Sequence, residues 1–219
     1  MKKFLAICCL TTAAFAAEKI ETPIDNDQVK VLKVQVQPRE KTRLHEHKVN
    51  RVMIYLDAGT QDFDYEGKKS TLDFKAGDVK WSPAGGMHIA EITSAQPVNI
   101  VEVELKKPGG GTAHGTAHQD ALDPVKIDPN HYRVEFDNAQ VRVLRVKIGP
   151  HETAPMHVHS LNRVVTYLHD QKIRVTTPDG KTSDVEHKAG DVAWAGQAKH
   201  KEENVDDQPM EVVVVELKD

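Results

Sequence analysis

The stretch "LHEHKVNRVMIYL", residues 44–56, has a near copy in "MHVHSLNRVVTYL", residues 156–168. Each carries two histidines one residue apart, then Asn-Arg, then an apolar run ending in Tyr-Leu. The offset is 112 residues, and other segments keep it. "DNDQVKVLKVQV" at Asp25 returns as "DNAQVRVLRVKI" at Asp137, and "VEVELK" at Val101 returns as "VVVELK" at Val213. "KAGDVKW" at Lys75 returns as "KAGDVAW" at Lys188, one residue beyond that offset. Repetition across nearly the whole chain is a duplication. It predicts an N-terminal domain over 17–107 and a C-terminal domain over 124–219. Between them, 108–123 are rich in glycine and small polar residues and read as a flexible linker with an irregular lead-in.

Each copy reads as strands. "VKVLKVQV" and "VRVLRVKI" alternate apolar and charged residues, the period of a half-buried strand. "RVMIYL", "VNIVEVEL" and "MEVVVVEL" are short β-branched runs. "TPDGK" and "AGD" mark turns, and helical periodicity is nearly absent after residue 16. The expected fold class is all-β, with one small barrel or jelly roll per copy.

The first sixteen residues, "MKKFLAICCLTTAAFA", have two lysines, an apolar run and an Ala-x-Ala ending, the layout of a signal peptide cut before Ala17. Secretion or a periplasmic location is the expectation. The apolar run is too short to span a bilayer. Both cysteines, Cys8 and Cys9, fall in this segment, so the mature chain has no disulfide and no thiolate ligand. The net charge of −4 becomes −6 once Lys2 and Lys3 are removed. Scattered charge of this sign fits neither nucleic acid nor anionic lipid, and a monomer or homodimer is expected.

Residues i and i+2 of a strand share a face. His45 and His47 therefore point together into a barrel, as do His157 and His159. About forty residues later each copy offers a third histidine, His88 and His200. Three converging imidazoles suit a divalent transition metal, and Fe, Mn, Zn, Cu and Ni all fit.

With these motifs in hand, the chain resembles the cupin superfamily, as a bicupin. The family's first motif is Gly-x5-His-x-His-x3/4-Glu-x6-Gly, and its second is Gly-x5-Pro-x-Gly-x2-His-x3-Asn. The first copy matches the second motif through Gly77, Pro83, Gly85 and His88, with Ile92 in place of Asn. The second copy has Gly190, His200 and Asn204, a loop one residue shorter, and Gly196 near the proline position. The resemblance implies two jelly-roll barrels of cupin type. The motif's glutamate, the usual fourth ligand, falls on Arg51 and Arg163, which cannot ligate a cation. What remains resembles the three-His centres of thiol, diketone and gentisate-type dioxygenases.

Parity lets Arg51 and Tyr55, and likewise Arg163 and Tyr167, face inward. There each guanidinium would clamp a substrate carboxylate. A β-bulge would turn them outward instead. Glu91 and Glu203, three residues after the last histidine of each set, are alternative fourth ligands, though an odd step points them to the outer face. His114 and His118 read as solvated linker, and His131, His151, His169 and His187 as surface residues. Trp81 and Trp194 read as core or rim packing. Two functions fit: an oxidoreductase of dioxygenase-like kind acting on a small anionic molecule, or a non-catalytic metal- or small-molecule-binding module.

Overall fold

The computed structural model describes residues 19–109 and 120–218. The expected signal peptide, with both cysteines, and His114 and His118 lie outside those residues. The first repeat forms β1 (Lys19–Asp25), β2 (Val29–Val36), β3 (His45–His47), β4 (Arg51–Tyr55), β5 (Gly59–Tyr65), β6 (Lys68–Phe74), β7 (Val79–Ser82), β8 (Gly85–Ile92) and β9 (Val98–Leu105). A one-turn helix, α1 (Pro124–Ile127), precedes the second repeat. That repeat forms β10 (Tyr132–Asp137), β11 (Val141–Ile148), β12 (Thr153–His159), β13 (Arg163–Tyr167), β14 (Gln171–Thr176), β15 (Thr182–His187), β16 (Val192–Ala195), β17 (Ala198–Asn204) and β18 (Met210–Leu217).

Each repeat makes a five-stranded and a four-stranded antiparallel sheet. The order β1-β2-β9-β4-β7 is repeated as β10-β11-β18-β13-β16, and β3-β8-β5-β6 as β12-β17-β14-β15. Each pair of sheets closes on an apolar interior. In the N-terminal barrel the interior is built around Val34, Val36, Met53, Tyr55, Ile92 and Ile100. In the C-terminal barrel it is built around Leu144, Val146, Ile148, Tyr167, Ile173 and Val212.

The five-stranded sheets also pack against each other. Val29, Val31, Val52, Ile54, Val101 and Val103 meet Val141, Val143, Val164, Val213 and Val215 in one continuous core. Strands read as half-buried are therefore covered on both faces, because the neighbouring barrel takes the place of solvent. This also corrects the reading of their charges. Arg142 and Arg145 are buried. Arg142 ties Asp123 at 2.6 Å to Glu216 at 2.5 Å, while Arg145 crosses the interface to the Gly77 carbonyl at 2.5 Å. Asp123, at the end of the expected linker, is likewise buried and caps α1 through the Val125 N–H.

The interface is nearly two-fold symmetric. Asn50 donates to Gln140 at 2.5 Å, and its counterpart Asn162 donates to Gln28 at 2.8 Å. The Gly-Asp turns take part in the same way. Gly77 and Gly190 have φ of 84° and 82°, and a Cβ there would stand 3.4 Å from Leu168 and 3.2 Å from Leu56 respectively. Both the left-handed backbone and the close approach call for glycine.

Candidate metal centres in the two barrels

The triads form at equivalent places. His45 pairs with His88 across β3 and β8, and His157 with His200 across β12 and β17. His47 and His159 complete them. Ring centroids lie 4.4–5.3 Å apart in the N-terminal set and 4.5–5.5 Å apart in the C-terminal set. In both sets the ligand atoms lie within 4.8 Å of one another, a spacing that could hold a metal ion.

The outer nitrogens of four of the six rings are occupied. Nδ1 of His45 donates to the Arg43 carbonyl at 2.7 Å, and Nδ1 of His88 to the Gly86 carbonyl at 2.8 Å. Nδ1 of His157 donates to the Pro155 carbonyl at 2.8 Å, and Nδ1 of His159 to the Glu216 carboxylate at 2.9 Å. Each of these rings then presents an Nε2 lone pair, the tautomer a ligating histidine needs. Nε2 of His45 sits only 3.0 Å from Nε2 of His47. Burial, reinforced by Arg51 and the other two rings, lowers the pKa of His47 to about 3. Burial lowers that of His157 to about 4, against the pull of Glu202. Both imidazoles are neutral at pH 7 and available to a cation.

The sequence matches no protein-family model and no curated protein. Solved structures do match. AerE from Microcystis aeruginosa is 13% identical over 94% of this chain and 95% of its own, with a TM-score of 0.66. A variant of oxalate decarboxylase from Bacillus subtilis is 15% identical over 92% and 73%, with a TM-score of 0.61. A Cupin 2 conserved barrel domain protein from Leptotrichia buccalis is 13% identical over 95% and 93%, with a TM-score of 0.57. The Bacillus oxalate decarboxylase is described as having Mn(II) centres. The chain has a bicupin fold.

The two sites of this fold differ in access. The N-terminal triad opens into a cavity of about 990 Å³ lined by Arg51, Met53, Tyr55, Phe63, Tyr65 and Glu102, among others. Tyr65 packs at a tilt against His88 with centroids 4.9 Å apart. The C-terminal histidines are enclosed, with His157, His159 and His200 exposing 0%, 4% and 8% of their surface.

Both arginines are buried and turned inward. The structure nevertheless alters their expected part. Arg51 already has an anion, because Nη1 donates to Glu102 at 2.8 Å and Nη2 to Ser82 Oγ at 2.9 Å. A bidentate grip on a substrate is therefore taken up by the protein itself. Nε of Arg51 is buried without a partner among the described residues. Arg163 donates to the Gly196 carbonyl at 2.5 Å. Tyr55 stacks on Phe74 at 4.1 Å while lining the cavity, and Tyr167 stacks on His187 at 3.7 Å. His187 is thus half-buried packing, against its reading as a surface residue. His131 is half-buried too, held by Asp128 and Glu152, whereas His151 and His169 are exposed. Trp81 packs at the inter-barrel core, and Trp194 is exposed.

Glu91 pairs with Lys41 at 3.3 Å, away from the triad, and Glu203 lies on the face of β17 opposite His200. The carboxylates near the triads are others. Glu102 and Glu104 stand with His47, all within 4.8 Å. Glu216 orients His159, and Glu202 lies 3.4 Å from Nε2 of His200. Burial raises the pKa of Glu102 despite Arg51. The pKa of Glu216 falls to about 2, because hydrogen bonds from His159 and Arg142 outweigh the opposing effect of burial. The available signals were charge inside apolar strands, at Glu102, Glu104 and Glu216, and the even step from His200 to Glu202.

Proposed function

We propose that this bicupin is an exported metal-dependent oxidoreductase of dioxygenase-like kind, acting on a small anionic organic molecule in its N-terminal barrel. One observation carries the reading: the triad of His45, His47 and His88 faces a cavity large enough for a substrate. Three protein ligands and an open side fit a catalytic centre better than a structural one. Neutral imidazoles also suit the chemistry of a divalent transition metal. Bound there, such a metal would supply Lewis acidity and adjacent positions for substrate and oxygen.

The remaining roles fall to the chain's own side chains. Arg51 lines the cavity, where an Nη–H not taken by Glu102 or Ser82 donates to a substrate anion while those two residues hold the guanidinium in place. The Tyr55 hydroxyl, its pKa raised to about 12 by burial and Glu102, stays protonated and donates a hydrogen bond. Leu32, Met53 and Ile100 line the cavity, hold the carbon skeleton and exclude water.

The test loads the purified protein with Mn, Fe, Zn, Cu and Ni in turn. Mn(II) comes first, because a similarly folded protein has Mn(II) centres. Metal content and oxygen uptake are then measured with a panel of small carboxylates and phenolates. Metal should bind, and turnover should vanish in the His45→Ala, His47→Ala double variant. Failure to bind any of the five metals overturns the metal reading. Metal uptake with no oxygen-dependent turnover leaves a binding module instead. Export is checked by N-terminal sequencing of protein recovered outside the cytoplasm, which should begin at Ala17.

A further inference from the structure

The proposed reaction leaves a half-buried carboxylate in the C-terminal barrel without a task. Glu202 follows His200 by two residues on β17, so the two side chains share the inner face. One carboxylate oxygen is 3.4 Å from Nε2 of His200. The other accepts from the Tyr132 hydroxyl at 3.1 Å, and that hydroxyl lies 3.3 Å from Nε2 of His157. Tyr132 is 1% exposed, and the Glu202 side chain keeps 19% of its surface. Nε2 of His200 is buried with no hydrogen-bond partner among the described residues. None of this exists in the N-terminal barrel, where Ala90 and Ile20 occupy the corresponding positions.

A carboxylate set among buried imidazoles is costly unless a cation joins them. Arg163 comes from β13 in the other sheet of the barrel, but it donates to the Gly196 carbonyl. We propose that Glu202 is the fourth ligand of a closed metal site in the C-terminal barrel, replacing the carboxylate whose motif position Arg163 occupies, with Tyr132 as its lid. The inference rests on the metal-binding reading of the triads and is independent of any activity in the N-terminal barrel. With His157, His159 and His200 it makes four protein ligands, the number that fills a tetrahedral site. The hydroxyl of Tyr132 fixes one carboxylate oxygen and covers the remaining approach.

The experiment uses the full chain carrying His45→Ala and His88→Ala, so that only the C-terminal site is read. Co(II) is titrated and its visible absorption followed, which reports both affinity and ligand set. One Co(II) per chain is expected. Glu202→Gln, nearly isosteric, should weaken binding at least roughly tenfold and shift the absorption bands, and His200→Ala should do at least as much. Glu202→Asp is the second variant; it keeps the charge and should keep more of the affinity than Gln does. Tyr132→Phe should leave the bands in place and speed removal of Co(II) by chelator. If Glu202→Gln binds with parental affinity and spectrum while His200→Ala does not, Glu202 is not a ligand and the inference falls. If both variants bind like the parent, the metal reading of this barrel falls with it.

Discussion

The two barrels share their sheet order and histidines, yet one presents its triad to a large cavity and the other encloses it. The difference is made by a few positions around a common frame. Where the C-terminal barrel has Tyr132 and Glu202, the N-terminal one has Ile20 and Ala90. Ala90 sets no polar group beside His88, whereas Glu202 stands beside His200 and the Tyr132 hydroxyl beside His157. Where the N-terminal barrel has Glu102, the C-terminal one has Val214. Each barrel thus sets the equivalent carboxylate of its last strand, Glu104 or Glu216, near the triad and adds a second of its own, Glu102 on β9 or Glu202 on β17. The histidine frame and the side chains around it are separable properties of the fold.

The contrast can be tested most severely through its buried charges. Arg142→Ala would leave Asp123 and Glu216 buried without their cation, at a cost of about 3–5 kcal/mol in urea unfolding. The counterpart Lys30→Ala, at a half-buried site, should cost under about 1 kcal/mol. Equal losses would deny that the barrels differ in how their charges are held.

Chelation gives the next largest effect. Metal present at a hundred times its dissociation constant stabilises by about 2.7 kcal/mol. The open N-terminal site should give up its metal to a chelator first, and the enclosed site should retain its share longer. Loss of both metals at one rate, followed by metal analysis over time, would remove the distinction between open and closed.

Ligand binding separates the arginines. Arg51→Gln should weaken binding of a small carboxylate by roughly 1.5–3 kcal/mol, the worth of a hydrogen bond to a charged group. Arg163→Gln should leave it unchanged, because that guanidinium is enclosed and donates to Gly196. Calorimetric titration of both variants decides the matter.

The smallest effect is on pH. In the metal-free protein, burial holds His47 to about 3 and His157 to about 4, so both stay neutral while the unfolded chain's imidazoles gain protons near 6.5. The unfolded state then binds more protons, and stability falls as pH drops from 7 to 5. The urea midpoint should follow, and His47→Gln or His157→Gln should each flatten the slope. A midpoint that rises on acidification would contradict both pKa shifts.

The fold was legible because duplication states every strand twice, and because an i, i+2 pair of histidines fixes which face is inside. The same comparison hid much of each site. Reading two copies for their likeness passes over Tyr132, Glu202 and Glu102, which occur in one copy only. Glu203 drew attention by its match to Glu91, although the even step pointed one residue earlier, to Glu202. Arg142 and Arg145 were hidden for another reason. Alternation shows that a strand has two faces, but not that a second barrel covers the outer one. Even the inward arginines were half-read: parity gave their direction, while the partner of Arg51 lies 51 residues away on β9.

The reciprocal amide contacts, Asn50 to Gln140 and Asn162 to Gln28, have a consequence for how the molecule can vary. Two separate copies of one barrel meeting through this surface would have to match, and dilution would part them. Joined in one chain, the halves face each other at an effective concentration set by the connecting segment. Each barrel then serves as the other's permanent outer wall, whether or not it keeps any chemistry of its own. One half is free to become a cofactor-hardened support, while the other spends its stability on an accessible site.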